Sequence, residues 1–313
     1  MTAPMAYLRA GADAVVALPR ALAHLADAGR PRTLVYFGGS PGDDLLCTPV
    51  IDALVASGRG PVWMMSHHPA LFTHNPAVTR VLPYDEVLAY ALSLVGVDRR
   101  RLRYHEYDPS DDRSLAPREH IIRLLARRAG VDPDAVNVAL APRIYLDEQE
   151  RSWGRFGDRQ IAIQSTTRSA AMPIANKEWF PERFQQVVDA LNGEYTLVQL
   201  GSAADPALSG VVDLRGKTTI REAAGVLHQS AALVGLVGFI MHLAKAVGTR
   251  SVIVYGGREH PSQSGYESNV NLFTPLHCAP CWYWNHSPYG RDCMNRIGAP
   301  EVIAAVRALL MAP

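Results

Sequence analysis

The amino-acid sequence predicts an α/β protein built on two parallel sheets. Short β-branched runs alternate with helical stretches along most of the chain, and the pattern restarts after a charged segment at residues 147–158. The length of 313 residues suits two domains of about 150 residues each. Strands separated by helices need crossover connections, which produce parallel sheets. Two such halves facing each other would form a cleft at the carboxyl ends of both sheets, where open α/β folds bind ligands.

The first half begins with an Ala-rich stretch, Met1 to Arg32, that predicts one or two amphipathic helices. Arg9, Asp13 and Arg20 interrupt its apolar residues, so it lacks the apolar core of a signal peptide. This part packs either on its own domain or against a membrane surface. Strands are then expected at 33–37, 61–65 and 102–105, and helices at 45–56, 86–95 and 120–129.

The second half repeats the alternation. We place the boundary in the charged segment, which gives a first domain at 1–152 and a second domain at 153–313. The last helix, 300–310, is amphipathic and packs on either domain. The other elements expected are strands at 160–164, 195–200, 232–236 and 251–255, and helices at 181–192, 219–229 and 239–247.

Composition excludes several classes of protein. Hydrophobic residues make up 48% and charged residues 19%, an ordinary globular balance. A net charge of +1 lacks the basic excess that nucleic-acid binding needs. No stretch reaches the roughly 18 apolar residues of a membrane span. Three of the four cysteines are clustered, which suits a reducing cytoplasm better than a disulfide framework. We therefore expect a cytoplasmic protein, with peripheral contact to the inner membrane left open.

Two adjacent acids, Asp43 and Asp44, follow the first strand. They stand in the turn Gly38 to Pro49, where a strand leads into a helix, and this turn is neither a dinucleotide fingerprint nor a P-loop. An acid at a helix start caps backbone N–H groups and favours the helix dipole. With two acids, one can cap while the other faces the cleft, so a structural and a catalytic role both stay open.

Two further clusters lie in the second half. Ser165 to Arg168 offers hydroxyls directly after a strand, and Lys177 precedes a helix. Hydroxyl donors and an ammonium charge suit a diphosphate, although a surface loop with a helix cap has the same composition. His242 begins an apolar helix, where a single histidine is more often a core residue than a ligand.

The third cluster consists of cysteines. Cys278 and Cys281 form a C-x-x-C pair, and Cys293 follows after eleven intervening residues. Thiolate pairs suit a tetrahedral metal, but a structural site needs four ligands, for which His277 or His286 is available. Buried reduced thiols and a single disulfide are the alternatives.

The order of these clusters resembles glycosyltransferase family 9, the ADP-heptose:lipopolysaccharide heptosyltransferases. The resemblance runs from about Thr33 to the C-terminus and is densest in the second half. Five motifs carry it in the family's order, namely Gly42-Asp43, Lys177-Glu178-Trp179, the turn Leu214 to Thr219, the helix start His242 to Gly248, and Cys278 to Cys281.

The resemblance implies a GT-B fold, with an acceptor-side domain at 1–152 and a nucleotide-sugar-binding domain at 153–313. It also implies an inverting transfer that requires no metal or other cofactor. Asp43 would be the general base, with Gly42 and Asp44 beside it on the acceptor side. Lys177 would neutralise the departing diphosphate. The donor side is completed by Thr166 and Thr167 on the diphosphate, Asp205 on the ribose, Gly216 and Thr218 of the turn, and His242 near the phosphates or sugar.

The resemblance also implies the partners: a nucleotide-sugar donor, with ADP-heptose the first choice, and a saccharide, glycolipid or small-molecule acceptor. Two departures stand out. Gly235 to Phe239 contains no carboxylate where the family has one before its helix-start histidine, and Ser287 stands where relatives with this tail tend to have a cysteine. They leave open a structural zinc or iron at the cysteines. They also leave open another donor, a natural-product acceptor, or a weakened nucleotide-sugar-binding subunit.

Overall fold

The computed structural model describes residues 13–104, 116–169 and 173–311. These residues form two compact units. The first holds residues 13–103 and 122–139, and the second holds the rest. Each unit has its own parallel sheet, as the alternating pattern predicts.

The sheet of the first unit has four parallel strands in the order β3-β2-β1-β4. The central strands β1 and β2 are buried throughout, which explains their unbroken apolar sequences. The strands are β1 Thr33–Tyr36, β2 Val62–Ser66, β3 Val78–Pro83 and β4 Asp98–Arg101. The helices are Leu18–Ala28, Pro41–Leu46, Thr48–Ala56, Glu86–Leu94 and Ile121–Arg128, with a 3-10 turn at Pro69–Phe72.

Two predictions for this half were wrong in detail. The last strand is Asp98–Arg101, not 102–105. The backbone of these four residues pairs with β1, while alternate arginines of this edge strand face solvent. His105 lies outside the described residues. The helix expected at 45–56 begins earlier, at Pro41, and is interrupted at Cys47. Ser40 caps that earlier start, with proline at the first helical position.

The sheet of the second unit has six parallel strands in the order β10-β9-β8-β5-β6-β7. They are β5 Gln160–Ile163, β6 Thr196–Gln199, β7 Val212–Asp213, β8 Ala232–Leu236, β9 Ser251–Gly256 and β10 Asn269–Phe273. The helices are Glu148–Ser152, Pro181–Leu191, Ile220–His228, Phe239–Ala246, Pro261–Ser264, Asp292–Asn295 and Ala299–Met311, with a 3-10 turn at Ala175–Lys177.

The core of the second unit includes the last helix. Val302 and Val306 of Ala299–Met311 are buried in the same cluster as the strand residue Val252. The Trp179 ring packs edge-on against Phe184 with centroids 4.9 Å apart. The C-terminal helix, for which either domain was possible from the sequence, thus packs on the second sheet.

Residues 116–121 and 140–152 also belong to the second unit, which differs from a boundary placed at residue 152. The Arg221 guanidinium donates to the carbonyl of Tyr145 over 2.6 Å and pairs with Glu150. Gln263 Nε2 donates to the Pro117 carbonyl over 2.7 Å. These contacts tie both stretches to the second sheet. In the described part of the chain, no helix combines the length and apolarity needed to cross a membrane.

Candidate functional site

Asp43 of the first unit both caps a helix and remains partly exposed. Its Oδ2 accepts hydrogen bonds from Ser40 N at 2.7 Å and Ser40 Oγ at 2.8 Å, which closes a capping box at the start of Pro41–Leu46. Gly39 has to lack a side chain, because a Cβ there would lie 2.3 Å from this oxygen. The structural alternative for Asp43 is therefore present in the fold, while its catalytic role stays a prediction.

Asp44, by contrast, is fully buried, as is its neighbour Gly42. Its Oδ2 accepts a 2.5 Å hydrogen bond from Ser66 Oγ, and its Oδ1 accepts none from the residues that the structure describes. Burial raises the pKa of the Asp44 carboxyl to about 7, opposed by the Ser66 hydrogen bond and reinforced by the charge of Asp43. Near neutral pH this acid is therefore partly protonated.

The replacement Asp44→Asn is expected to remove a pH-dependent loss of stability. A pKa of about 7 in the folded protein, against an ordinary 3.8, means that the native state keeps a proton that the unfolded chain releases. Wild-type stability should therefore fall as pH rises from about 4 to about 7, by at most about 4 kcal/mol at 1.36 kcal/mol per pKa unit. Asparagine cannot ionise, so the variant should lack this fall.

Urea unfolding at about pH 5 and pH 8 checks this expectation. Asp27→Asn is the matched control, because Asp27 is exposed and pairs only at the surface with Arg80. If the stability of wild type and Asp44→Asn changes in parallel with pH, Asp44 does not carry the buried proton.

Two aromatic rings that the sequence did not single out lie beside the Asp43 loop. A Cβ at Gly38 would lie 2.4 Å from the Tyr84 ring, so the ring packs directly on the backbone of this loop. The exposed His67 imidazole lies against Tyr84 with ring centroids 4.4 Å apart. Neither residue belongs to a recognisable motif, and only the fold brings them to the loop.

In the second unit, the hydroxyls predicted on the donor side meet a buried carboxylate. Thr166 Oγ1 donates to Glu178 Oε2 over 2.6 Å. Thr167 donates to Glu178 Oε1 from its backbone nitrogen over 2.7 Å and from its hydroxyl over 2.5 Å. Glu178 thus fixes the loop that follows β5, a role that its place in the Lys-x-Trp motif did not indicate.

Lys177 enters a buried group of charges with two residues that sequence reasoning missed. Its Nζ lies 2.5 Å from Glu259 Oε1, and the Arg258 guanidinium lies 2.6 Å from the same oxygen. Ser264 Oγ donates to Glu259 Oε2 over 2.8 Å. Burial alone would raise the pKa of Glu259, but the two cations lower it to about 2. Two cations share one carboxylate, so the group retains an excess positive charge.

His242 lies beside this group, at the start of the helix that follows β8. It is buried, and its Nδ1 is 2.6 Å from the Tyr266 hydroxyl oxygen. Burial lowers the pKa of His242 to about 3, assisted by the charge of Lys177 and opposed by that of Glu259. The imidazole is therefore neutral at physiological pH and can act only through hydrogen bonds.

Asp205, Gly216 and Thr218 lie in the loops that follow β6 and β7. Asp205 Oδ2 accepts from the Ser202 backbone nitrogen over 2.8 Å, and Oδ1 accepts from the Ser169 hydroxyl. Gly216 has a φ of +65°, and a Cβ there would lie 2.7 Å from the Ala203 side chain. The two loops are packed together, with Thr218 partly exposed at the turn.

The loop that follows β8 contains no acid, and its apolar residues are buried. Leu236, the last residue of β8, and Val237, the first residue of the loop, have almost no solvent exposure. The next residue, Gly238, lies against the β5 loop, since a Cβ there would be 3.6 Å from Thr167 Cγ2. This loop therefore contributes backbone, and no side-chain charge, to the edge of the sheet where β5, β8 and β9 end.

The cysteine cluster consists of free, half-buried thiols. Burial raises the pKa of both Cys281 and Cys293, and repulsion between the thiolates adds to the rise. A tetrahedral metal with sulfur bonds of about 2.3 Å brings its sulfurs to about 4 Å from one another. Within the described residues, Cys278, Cys281 and Cys293 do not form a group with all sulfurs inside 4.8 Å. As arranged, they do not fit a closed metal site, and metal binding stays a prediction.

That prediction has a direct measurement. A zinc or iron site would give about one ion per chain in gently purified protein, and Cys281→Ser would lower both metal content and melting temperature. Ser287→Cys would supply a fourth sulfur and increase metal retention. Metal-free protein, with a Cys281→Ser variant of unchanged stability, would leave these residues as ordinary thiols.

The sequence of this chain matches a known protein family. Glycosyltransferase family 9 (heptosyltransferase) matches residues 121–285, more than half of the chain. No curated protein sequence matches.

Similar solved structures include three transferases. A glycosyl transferase family 9 protein from Veillonella parvula has a TM-score of 0.64 and 15% identity, over 90% of this chain and 97% of that one. The E. coli ADP-heptose lps heptosyltransferase II has a TM-score of 0.61 and 18% identity, over 90% and 98%. The iron-containing dodecameric heptosyltransferase TibC from enterotoxigenic E. coli, in complex with ADP-D-beta-D-heptose, has a TM-score of 0.70 and 17% identity, over 90% and 76%. At such identities these similarities concern the fold, and they confirm the GT-B class.

Proposed function

Because this chain belongs to glycosyltransferase family 9 (heptosyltransferase), it is a glycosyltransferase, and we propose that it transfers a heptose from ADP-heptose with inversion at the anomeric carbon. The observation that supports this proposal best is the positively charged group of Lys177, Arg258 and Glu259. It lies at the carboxyl edge of the second sheet, where parallel α/β sheets bind their ligands. An excess of positive charge that is held in place suits the diphosphate of a nucleotide sugar.

The leaving group is a nucleoside diphosphate. As the bond between the anomeric carbon and the diphosphate oxygen breaks, the electron pair stays on the diphosphate, and the added negative charge is met by Lys177. Neutral His242 can hydrogen-bond to the sugar or phosphates without a charge of its own. Asp205 would bind the ribose, and the packed turn with Gly216 and Thr218 would form the wall around the nucleotide.

The acceptor hydroxyl needs a base. In this proposal the Asp43 carboxylate takes the hydroxyl proton while the oxygen attacks the anomeric carbon from the face opposite the diphosphate. Asp43 is partly exposed at the start of the helix Pro41–Leu46, so its carboxylate is open to contact from an acceptor. Thus no metal or other cofactor has a part in the transfer.

The acceptor is a saccharide, a glycolipid or a small molecule. Exposed Val15, Val16 and Leu22 lie in the N-terminal helical region near the exposed Arg20, a combination suited to the surface of an anionic membrane. We propose a cytoplasmic protein with peripheral contact to such a surface. Sedimentation with anionic vesicles should be lost when Val16 and Leu22 are replaced by Ser.

A panel of nucleotide sugars tests the function. We expect ADP-heptose and ADP to raise the melting temperature by mass action, and UDP and GDP sugars to have less effect. Release of ADP from ADP-heptose, even by slow hydrolysis, would separate an enzyme from a weakened binding subunit. A stabilising effect from a different nucleotide sugar would replace the proposed donor, and no effect from any of them would contradict the proposed function.

A further inference from the structure

The second unit contains a carboxylate at a place where the sequence motifs do not put one. The loop before His242 is apolar, with Leu236 and Val237 buried. The neighbouring strand β9 is followed by Arg258 and Glu259, and Glu259 lies close enough to His242 to influence its pKa. The loop after β9 thus supplies a carboxylate near His242, whereas the loop after β8 supplies none.

Glu259 is fully occupied by other protein groups. Its Oε1 meets Lys177 Nζ at 2.5 Å and the Arg258 guanidinium at 2.6 Å, and its Oε2 accepts from Ser264 Oγ at 2.8 Å. The residue is only 5% exposed. Both oxygens are engaged and little of the side chain meets solvent, so we assign Glu259 a role that acts through its partners and not through direct contact with the sugar.

Arg258 is itself held rigidly. Its Nε donates to the Tyr283 carbonyl over 3.1 Å. Its guanidinium lies 4.8 Å from the centre of the Trp282 ring and 5.8 Å from that of Trp284. A carboxylate paired with this immobile cation has a fixed position, and it can therefore fix the position of a second cation.

That second cation is Lys177. Its side chain is 17% exposed, and Glu259 holds its ammonium through the 2.5 Å ion pair. We propose that Glu259 is a positioning residue that fixes the Lys177 ammonium for the donor diphosphate, in place of the carboxylate absent before His242. This inference rests on the proposed function. A flexible lysine chain loses rotamer freedom when it binds a ligand, and a pre-formed ion pair removes that cost beforehand.

Removing the negative charge of Glu259 should make the Lys177 ammonium easier to deprotonate. The charged and titratable groups that face Glu259 are Lys177, Arg258, His242 and Tyr255. Around these groups, His120 and Tyr266 face His242, and Cys281 faces Arg258. None of these others is a carboxylate. In Glu259→Gln, Lys177 and Arg258 would lose the carboxylate that they share, and the ammonium would lose its proton at lower pH than in the wild type.

The first experiment measures ADP binding by calorimetry between about pH 6.5 and pH 9. We expect Glu259→Gln to bind ADP about tenfold more weakly than wild type, with a loss that grows as pH rises and Lys177 deprotonates. Glu150→Gln is the matched control, because it breaks another half-buried Glu–Arg pair, with Arg221. Wild-type affinity and pH dependence in a folded Glu259→Gln would overturn the proposal.

The second experiment needs no ligand. The chain has three lysines, so protein labelled with ¹⁵N and ¹³C in lysine gives three side-chain signals, assigned by Lys→Arg replacements. In the wild type we expect the Lys177 ammonium protons to exchange slowly, because Glu259 accepts from them, while exposed Lys217 exchanges fast. In Glu259→Gln, the Lys177 signal should titrate at lower pH and those of Lys217 and Lys245 should be unchanged. If Lys177 exchanges as fast as Lys217 in the wild type, the inference is wrong even where the variant does not fold.

The two proposals can fail separately. If wild type binds ADP and Lys177→Ala weakens that binding but Glu259→Gln does not, the positioning role fails and the transferase function stands. If the wild type binds no nucleoside diphosphate, the proposed function fails, and the positioning role in donor binding fails with it whatever the lysine signals show.

Discussion

Replacing Asp43 by Asn is expected to lower the rate of sugar transfer by about 10²–10⁴-fold, the usual cost of losing a general base. The amide oxygen of asparagine can still accept the hydrogen bonds that Ser40 donates, so the helix cap should survive. Because the donor side lies in other loops, ADP affinity should stay within about a few-fold of wild type. Turnover of ADP-heptose with a soluble acceptor, together with ADP calorimetry, checks both parts.

Two further variants make this result interpretable. Asp27→Asn changes an exposed carboxylate and should leave turnover unaffected. Asp44→Asn tests the neighbouring acid. If it abolishes transfer while Asp43→Asn remains active, the base has been assigned to the wrong carboxylate. Loss of folding in Asp43→Asn would instead make the capping role of Asp43 dominant.

Replacing Lys177 by Ala should weaken ADP binding by about 1.5–3 kcal/mol, or roughly 10–150-fold, the range for a lost hydrogen bond to a charged group. The fold should tolerate the change, since Arg258 and Ser264 still pair with Glu259. Lys177→Arg should restore the affinity only in part, because a planar guanidinium does not reproduce the compact charge of an ammonium.

Lys245→Ala is the control for this measurement. Lys245 belongs to the same unit and donates to Ser268 Oγ over 3.1 Å, and it is not one of the cations that pair with Glu259. We expect its ADP affinity to equal that of wild type. Unchanged affinity in Lys177→Ala as well would remove Lys177 from the donor site.

Much of the fold was predictable because its central strands are continuous apolar runs. Strands β1, β2, β5, β8 and β9 lie within a residue or two of their predicted positions. Strands β3, β7 and β10 were missed and β4 was misplaced, and all four are edge strands that are only partly buried. Edge strands carry mixed polar sequences, so periodicity alone does not distinguish them from loops.

The candidate site was predictable only where a single residue revealed its role. Lys177, His242 and Asp43 were singled out by their residue types and their places beside predicted strands or helices. Glu259 and Glu178 were missed. The pairing of Glu259 with Lys177 joins positions 82 residues apart in the chain, and no local pattern contains such information. In the sequence, Arg258 likewise cannot be distinguished from an exposed arginine, because its contact with Trp282 exists only in the folded protein.

The pairing of β8 with β9 also bears on how this family diverges. Adjacent strands in a sheet are about 4.8 Å apart, so the loops that leave their ends reach overlapping space. During evolution, a carboxylate can therefore move from one loop to the next through an intermediate protein that has a carboxylate on both loops. The site would then never lack the negative charge. Motif scans that score each column separately would classify such descendants as degenerate. A search for compensating acids one strand away would recover them.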